Sequence, residues 1–312
     1  MVNMRGAVVD LGTNTFNLLI ADCIKGKMKE VVREKRTVKI GKGGLNNNRI
    51  AADAYERALN AIREYAQIIN DSKSSHIKII ATSAFRTTEN GQQLASEIET
   101  ITCAKVDIIE GNKEAEYIYY GIREAVPLTE KKVLMLDIGG GSNELIIANK
   151  DEIFWRESYK LGISRLIEHF HPNDPLSPSE MEQIASYIRQ ELHSLKVALD
   201  QFPVDTLVGS SGSFDTISNI LHFKQFGKDI ELSKTWNTIN IMQFWRLLDL
   251  LIISSYEQRK DIRGMDMSRI EMIPIAALFI RVVLEFFKCK NVFHSAYAIK
   301  EGVWYQTFKH YC

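Results

Sequence analysis

The sequence predicts an α/β protein of two domains. Its 312 residues exceed the size at which a single hydrophobic core usually stops growing. Helical and strand patterns alternate along the chain, as they do in layered α/β folds. Two strand-turn-strand units, at 6–22 and 132–148, each carry an Asp at the end of the first strand and glycine in the turn. Recurrence of such a unit within one chain indicates an internal duplication.

The elements of the first domain follow from the spacing of apolar side chains. Apolar and β-branched runs predict strands, and the polar turn Gly12–Thr15 joins the first two of them. Residues 51–69 carry apolar side chains at helical spacing with charged ones largely on the opposite face, which predicts a surface helix. The predicted strands are 6–11, 16–22, 27–39, 77–81 and 105–109, and the further predicted helices are 89–100 and 113–123.

The second domain repeats this opening and continues with helices. Its predicted strands are 132–137, 144–148, 152–158 and 206–209, and its predicted helices are 162–169 and 178–198, with helical material to the end. Pro274 must start or kink a helix there, which leaves any ligand contact by Arg269 undecided. We place the domains at 1–123 and 124–312, and we expect the last helix, about 300–312, to pack back on the first domain.

Composition argues against several classes of partner. The 39 basic and 39 acidic side chains cancel, so no net charge points to nucleic acid or to a membrane surface. Four cysteines lack the paired spacings of a zinc or redox site and are interpreted as buried or inert thiols of a reducing compartment. The N-terminal apolar run is too short for a signal peptide, and charged residues interrupt the apolar stretch 270–287. We therefore predict a cytoplasmic protein.

The first glycine turn is suited to phosphate chemistry. Asp10 ends the strand before it and offers carboxylate oxygens to a hard cation such as Mg²⁺. Gly12 lets backbone N–H groups approach phosphate oxygens, and these donors continue through Thr13, Asn14 and Thr15. A tight hairpin whose Asx side chain caps the turn explains the same residues equally well.

The second glycine turn is the stronger signal. Three successive glycines between apolar strands cost conformational entropy, so they indicate close approach of a ligand to the backbone. Asp137 ends one strand and Glu144 begins the next, so both carboxylates can face one cation. A surface hairpin charge is the alternative for Glu144. The residues of the turn are Gly139, Gly140, Gly141, Ser142 and Asn143.

An ordered set of motifs resembles one enzyme family. The motifs are Asp10-Leu-Gly-Thr-Asn-Thr, Ala81-Thr-Ser-Ala-Phe-Arg86, Glu110-Gly-Asn-Lys-Glu114-Ala, Asp137-Ile-Gly-Gly-Gly-Ser-Asn-Glu144 and Gly209-Ser-Ser-Gly-Ser213. With Ile299-Lys-Glu-Gly302 near the end, the set resembles the exopolyphosphatase/guanosine pentaphosphate phosphohydrolase family of the actin superfamily, in its short form. The resemblance implies two actin-like (ribonuclease H-like) α/β domains, each a mixed five-stranded sheet flanked by helices, with the active-site cleft between them.

The resemblance also implies roles for individual carboxylates. Glu114 matches the family's general base toward the attacking water, and a carboxylate at the positive end of a helix dipole is the alternative. Asp137 matches a metal-binding or water-orienting aspartate. Mg²⁺, with Mn²⁺ as second candidate, would lie near Asp10, Asp137 and Glu144.

Two further segments are expected to hold phosphate. Arg86, in a polar loop after a strand, can bind phosphate oxygens bidentately, and Ser83 lies in the same loop. A solvated loop arginine is the alternative. The second segment matches the superfamily's second-domain glycine loop, although its serines can also cap the following helix. Its residues are Gly209, Ser210, Ser211 and Gly212.

A basic series runs from Lys25 to Lys42. Six of its members share one face of an extended strand, where they could track a polyanion. A solvated sheet face explains them equally well.

These features predict an exopolyphosphatase, which hydrolyses terminal phosphate from inorganic polyphosphate by metal-assisted in-line attack of water. The first alternative is a guanosine pentaphosphate (pppGpp) 5′-phosphohydrolase, because a chain without an added basic domain has limited surface for a long polymer. The second alternative is a small-molecule kinase, or a non-catalytic phosphate or nucleotide sensor of the same fold. Apolar helices in the second half would suit a homodimer.

Overall fold

A computed structural model describes residues 4–44, 47–231 and 233–311 of the chain. The described residues divide into two units. Unit 1 contains 4–44, 47–121, 139–141 and 298–311, and unit 2 contains 122–138, 142–231 and 233–297.

Unit 1 is built on a mixed five-stranded sheet with the order β3-β2-β1-β4-β5. β1, β2 and β3 form an antiparallel meander, and β4 and β5 continue the sheet in parallel. The strands are β1 (Met4–Leu11), β2 (Thr15–Ile24), β3 (Lys27–Thr37), β4 (His76–Ala81) and β5 (Val106–Ile108). The helices are α1 (Ala52–Asp71), α2 (Ser83–Thr87), α3 (Gly91–Thr102), α4 (Gly111–Ala125) and α12 (Ile299–Phe308).

Unit 2 is built on a mixed six-stranded sheet with the order β10-β11-β9-β6-β7-β8. The strands are β6 (Val133–Ile138), β7 (Asn143–Ala148), β8 (Ile153–Tyr159), β9 (Thr206–Ser210), β10 (Trp236–Ile239) and β11 (Asn291–Ser295). The helices are α5 (Ile163–Phe170), α6 (Pro178–Glu191), α7 (His193–Gln201), α8 (Ser211–Phe226), α9 (Ile241–Ile253), α10 (Tyr256–Lys260) and α11 (Ile273–Glu285).

Three details of the predicted elements are wrong. The second sheet has six strands and not five, because the stretch predicted to be helical to the end also contains β10 and β11. Their four and five residues are too few to show strand alternation. The predicted helix 178–198 is two helices, separated at Leu192. The predicted loop around Arg86 is the short helix α2, whose five residues are too few for a helical period.

Burial explains why each sheet has one hairpin in its interior, β1-β2 in the first sheet and β6-β7 in the second. Every residue of β6 and β7 is buried, and so are all but one of β1. Near-continuous apolar runs of this kind belong to strands that are covered on both faces. Each polar turn therefore projects from a rigid, buried pair of strands, which fixes the carboxylates at their ends.

Glycine allows two helices of unit 1 to pack at backbone distance. A Cβ atom on Gly302 of α12 would lie 1.7 Å from the Tyr117 carbonyl oxygen of α4, and one on Gly121 would lie 2.0 Å from the Ala298 carbonyl oxygen. The Phe308 ring of α12 lies against Gly6 of β1 in the same way. α12 thus contacts both the central strand of unit 1 and the helix that carries Glu114.

Two further expectations can be compared with the described residues. Among them, no helix is both long enough and apolar enough to cross a membrane. Cys103 and Cys289 are free thiols. Cys23, on β2, is disulfide-bonded, so the expectation of an inert thiol is wrong there.

Candidate active site

The first glycine turn closes a tight hairpin between β1 and β2. The Gly12 N–H donates to the Thr15 carbonyl oxygen at 3.1 Å, and a Cβ on Gly12 would lie 2.9 Å from that oxygen. Asp10, 6% exposed, accepts a hydrogen bond from the Asn17 amide at 2.9 Å, directly across the strand pair. The turn is also held from outside, because the Asn14 carbonyl accepts from the Val38 and Lys39 amides.

Two buried hydroxyls converge on the second glycine turn. A Cβ atom on Gly141 would lie 2.4 Å from Thr13 Oγ1 and 2.7 Å from Ser83 Oγ. Thr13 is 4% exposed and Ser83 2% exposed, and neither hydroxyl has a hydrogen-bond partner among the residues that the structure describes. Gly140 is equally confined, since its Cβ would lie 2.7 Å from the Asn14 amide nitrogen. No side chain fits at either glycine, so backbone and unsatisfied hydroxyls together form a polar cradle.

The polar character of this cradle suits an anionic ligand. A buried hydroxyl without a partner costs about 1–3 kcal/mol. Thr13 lies in the β1-β2 turn and Ser83 in α2. The desolvation cost of both hydroxyls therefore falls on the same small region beside Gly141. An anion with several acceptor oxygens, such as phosphate, satisfies both donors at once.

Arg86 and Glu114 form a second polar pair in unit 1. Glu114, 8% exposed, lies in the first turn of α4. The two terminal nitrogens of Arg86 lie 3.4 Å and 3.5 Å from the same Glu114 oxygen, and Arg86 also donates to the Ile109 carbonyl oxygen. The carboxylate therefore faces a guanidinium that orients it.

Asp137 and Glu144 lie opposite each other in unit 2. They are direct partners in the antiparallel register of β6 and β7, so their side chains share one face of the sheet. Asp137 is 6% exposed and Glu144 1% exposed. Ser210 and Ser211 donate to one Asp137 oxygen at 2.7 Å and 2.6 Å. Ser158 donates to Glu144 at 2.7 Å.

This carboxylate pair fits a magnesium ion. Two buried carboxylates on one face of a sheet are hard oxygen ligands of the kind that Mg²⁺ takes. Mg²⁺ usually takes one or two protein carboxylates and completes its shell with water and substrate phosphate oxygens. In the described residues, no group of three or more His, Cys, Asp or Glu side chains has the arrangement of a metal site.

The serines of the glycine loop of unit 2 bond to Asp137 instead of capping the following helix. Ser210 is the N-cap of α8 but makes no side-chain cap bond, because its hydroxyl and that of Ser211 go to Asp137. Ser211 holds the left-handed φ of 67°, which is uncommon for a serine. A Cβ on Gly209 would lie 2.0 Å from the Phe214 ring. The loop thereby fixes Asp137 in place.

Arg269 is a site residue that the sequence left undecided. Its side chain is 7% exposed, its Nε has no hydrogen-bond partner, and a Cβ on Gly212 would lie 2.3 Å from its guanidinium. Burial lowers the pKa of Arg269, and Asp266, Asp215 and Asp137 oppose that shift. Ser213, fully buried, also has an unsatisfied hydroxyl. The signal in the sequence was an arginine directly before a long apolar helix.

Part of the basic series is neutralised within unit 1. Arg33 lies 2.9 Å from Glu301 and 2.7 Å from Glu30. Arg36 pairs with Glu34 and Glu64 at 2.6 Å and 2.8 Å. Arg33 and Arg36 therefore form ion pairs within unit 1. The members of the series that face solvent are its exposed lysines.

Comparison with known proteins agrees with these features. The model of a family described as the Ppx/GppA phosphatase family matches residues 19–310. The chain is 26% identical to a guanosine-5′-triphosphate,3′-diphosphate pyrophosphatase of Photobacterium profundum over 96% of its own length and 58% of that relative. The chain therefore spans little more than half of this curated relative.

Solved structures of similar chains cover the whole molecule. An exopolyphosphatase from Cytophaga hutchinsonii is 34% identical and superposes with a TM-score of 0.94 over 98% of both chains. The PPX-GPPA enzyme of Aquifex aeolicus is 25% identical, with a TM-score of 0.80 over 97% of this chain and 99% of the other. These likenesses bear out the α/β fold class that the sequence predicts.

Proposed function

Because the chain belongs to the Ppx/GppA phosphatase family, we propose that it hydrolyses phosphoanhydride bonds and releases terminal phosphate from inorganic polyphosphate. The family supports the reaction class. The likeness to the C. hutchinsonii exopolyphosphatase supports the substrate.

The observation that carries this proposal is the cradle at Gly141. Its two unsatisfied hydroxyls, from Thr13 and Ser83, suit the oxygens of a phosphoryl group. Glycine allows the Thr13 and Ser83 hydroxyls to lie directly against the backbone of the turn. A bound phosphate would offset the desolvation of both hydroxyls, so this part of unit 1 is organised before the substrate arrives.

We assign the proton transfer to Glu114. Its carboxylate accepts a proton from water as the water attacks the terminal phosphorus in line with the leaving oxygen. The bond to the bridging oxygen breaks, its electron pair stays on the shortened chain, and orthophosphate is released. Arg86 orients Glu114 and can turn its fork toward the phosphate oxygens, where charge accumulates.

Asp137 and Glu144 are the residues that would hold Mg²⁺, with Asp10 as a further candidate and Mn²⁺ as a substitute. When bound, such an ion neutralises phosphate oxygens and polarises the phosphoryl group. The serine hydroxyls that donate to Asp137 and Glu144 hold the two carboxylates in fixed orientations.

The second candidate substrate is guanosine pentaphosphate. The P. profundum relative, a guanosine-5′-triphosphate,3′-diphosphate pyrophosphatase, supports it, and both substrates end in the same phosphoanhydride. One terminal phosphoryl site would therefore serve either molecule. Polyphosphate and guanosine pentaphosphate are distinguished by the residues that bind the part of the substrate beyond the terminal phosphate.

A panel of substrates tests the proposal. Mg²⁺-dependent phosphate release would be measured from tripolyphosphate, long-chain polyphosphate and pppGpp, with wild type and Gly141→Ala. We expect the highest kcat/KM with polyphosphate and a loss of about 10²-fold in the variant, because the new methyl displaces Thr13 and Ser83. Phosphate release from pppGpp alone would identify the protein as a guanosine pentaphosphate phosphohydrolase. Release from none of them would contradict the proposed reaction.

We also propose a cytoplasmic homodimer. Exposed apolar side chains on unit 2, such as Val197 and Ile253, which are 54% and 60% exposed, support self-association. Sedimentation equilibrium of the purified chain and fractionation of cells test the two statements separately.

A further inference from the structure

A pocket of about 600 Å³ lies in unit 2, away from the residues assigned to catalysis. It is formed by α8, α9 and the segment after α10. Its apolar lining includes Ile220, Leu221 and Leu247, which are buried, and Leu250, which is 49% exposed at the edge. Pockets of roughly 300–1,000 Å³ take small organic ligands.

One wall of the pocket is fixed by the backbone. Gly264, with φ of 85°, turns the segment after α10 tightly onto α8, where its Cβ would lie 3.0 Å from the Asn219 carbonyl oxygen. The Asn219 amide donates to the Gly264 carbonyl at 3.2 Å and to Asp229 at 2.9 Å. The pocket is therefore preformed, and a ligand does not have to order this wall.

Three cations from three elements line the pocket. They are Lys224 on α8, Arg246 on α9 and Arg263 on the following segment, all exposed. None of the three has an ion pair within the part of the chain that the structure describes. The acidic neighbour on α9, Asp249, is already paired with Arg281 at 2.8 Å. An apolar cavity with three uncompensated positive charges on its lining complements an amphipathic anion.

We propose that this pocket binds an acyl chain with an anionic head group, a carboxylate or a phosphate. The chain would lie on the Leu and Ile side chains, and the head group would contact Arg246, Arg263 and Lys224. A nucleobase is less suited, because of the ten lining residues Phe223 alone is aromatic and Gln243 alone carries a side-chain amide. Stacking and edge recognition of a base need more of both groups.

The pocket is separate from the glycine loop at the start of α8. Along α8, Leu221 lies about 12 Å from Ser213, eight residues earlier, at the rise of an α-helix. A ligand here would not contact the first turn of α8. It would bind as a second, independent molecule.

Calorimetric titration with octyl, nonyl and decyl phosphate, each below its micelle concentration, tests the apolar half of the proposal. Each added methylene should tighten Kd about fourfold as it is buried. Inorganic phosphate should bind this pocket far more weakly than decyl phosphate. A Kd that does not depend on chain length would overturn the proposal.

Three variants test the location. Arg263→Gln should weaken decyl phosphate binding about fivefold, and Leu250→Asp, which brings a carboxylate to the edge of the pocket, should weaken it further. Lys196→Gln is the matched control, because Lys196 is exposed on α7, outside the pocket, and unpaired in the described chain. Equal binding by all three variants would overturn the proposal.

Three other occupants are separate outcomes of the same experiments. Binding to vesicles of anionic phospholipid but not to monomeric decyl phosphate would replace the pocket with a membrane-surface contact. Binding of guanosine nucleotides that Leu250→Asp abolishes, without alkyl phosphate binding, would replace the acyl chain with a nucleotide. A change in sedimentation mass as the sole effect of Leu250→Asp would assign this face to a second copy of the chain. Each of these results contradicts the acyl proposal.

Discussion

Arg86 places both terminal guanidinium nitrogens within 3.5 Å of one carboxylate oxygen of Glu114. These separations are at the outer limit of a hydrogen bond, so the pair is oriented but not locked. Arg86 therefore orients the carboxylate of Glu114 while it also donates to the Ile109 carbonyl oxygen.

This relationship predicts a graded response at Arg86. Arg86→Gln should lower kcat about 10²-fold to 10³-fold, because both the charge and the fork are lost. Arg86→Lys should recover about tenfold, since it restores the charge without the bidentate geometry. Steady-state phosphate release measures both variants. Arg63→Gln, on exposed α1, is the control, and equal rates for Lys and Gln at position 86 would contradict a role for the fork.

Ser83 should show opposite effects on stability and on activity. Ser83→Ala removes a buried hydroxyl without a partner, so the free energy of unfolding should rise by about 1 kcal/mol and the melting temperature by about 2 °C. The same change removes a phosphate contact and should raise KM. Calorimetry and kinetics measure the two effects. Ser96→Ala, on the exposed face of α3, should change neither, and a destabilised Ser83→Ala would show that the hydroxyl is satisfied.

Magnesium should stabilise the protein through Asp137 and Glu144. Their carboxylates are buried opposite each other, so a shared cation relieves their repulsion. At ten times its Kd, Mg²⁺ should raise the free energy of unfolding by about 1.4 kcal/mol. Asp137→Asn should abolish this rise and the exposed control Asp151→Asn should keep it. An equal rise in Asp137→Asn would place the ion elsewhere.

Acid stability should depend on Glu301. Burial by itself raises the pKa of this fully buried carboxyl. The positive charges of Lys300 and Arg33 together lower the pKa by more than burial raises it, so it lies below the ordinary value of 4.5. A depressed pKa gives stability that is complete above pH 4.5 and is lost as the pH falls through the lower, folded value.

Arg33→Gln should therefore move acid unfolding to higher pH and cost about 3 kcal/mol at neutral pH, because Glu301 loses a partner in the interior. Arg36→Gln, whose ion pairs are exposed, should cost less than about 1 kcal/mol. Urea unfolding across pH 3–7 measures both. Identical pH profiles for wild type and Arg33→Gln would contradict the assignment.

Local chemistry made the two glycine turns predictable. Asp10 and Asp137 each end an apolar strand before glycine, and that pattern needs no knowledge of distant residues. The antiparallel partnership of Asp137 with Glu144 follows from the same turn. These positions are set by eight or fewer residues of contiguous sequence.

Long-range packing accounts for what the sequence did not show. The hydroxyls of Thr13 and Ser83 meet at Gly141, although 128 residues separate Thr13 from that glycine. Arg269 reaches Gly212 across 57 residues, and no periodicity encodes that contact. The strand β10 was missed for the same reason, because it exists through its pairing with β11.

The central claim is that Glu114 is the base in phosphate release. Single-turnover hydrolysis of a short polyphosphate at saturating enzyme and Mg²⁺ tests it most directly, with Glu114→Gln beside Glu116→Gln, a change two residues along the same helix. We predict that Glu114→Gln still binds the substrate but releases phosphate about 10²-fold to 10⁴-fold more slowly, while Glu116→Gln keeps the wild-type rate. Wild-type release by Glu114→Gln would contradict the claim.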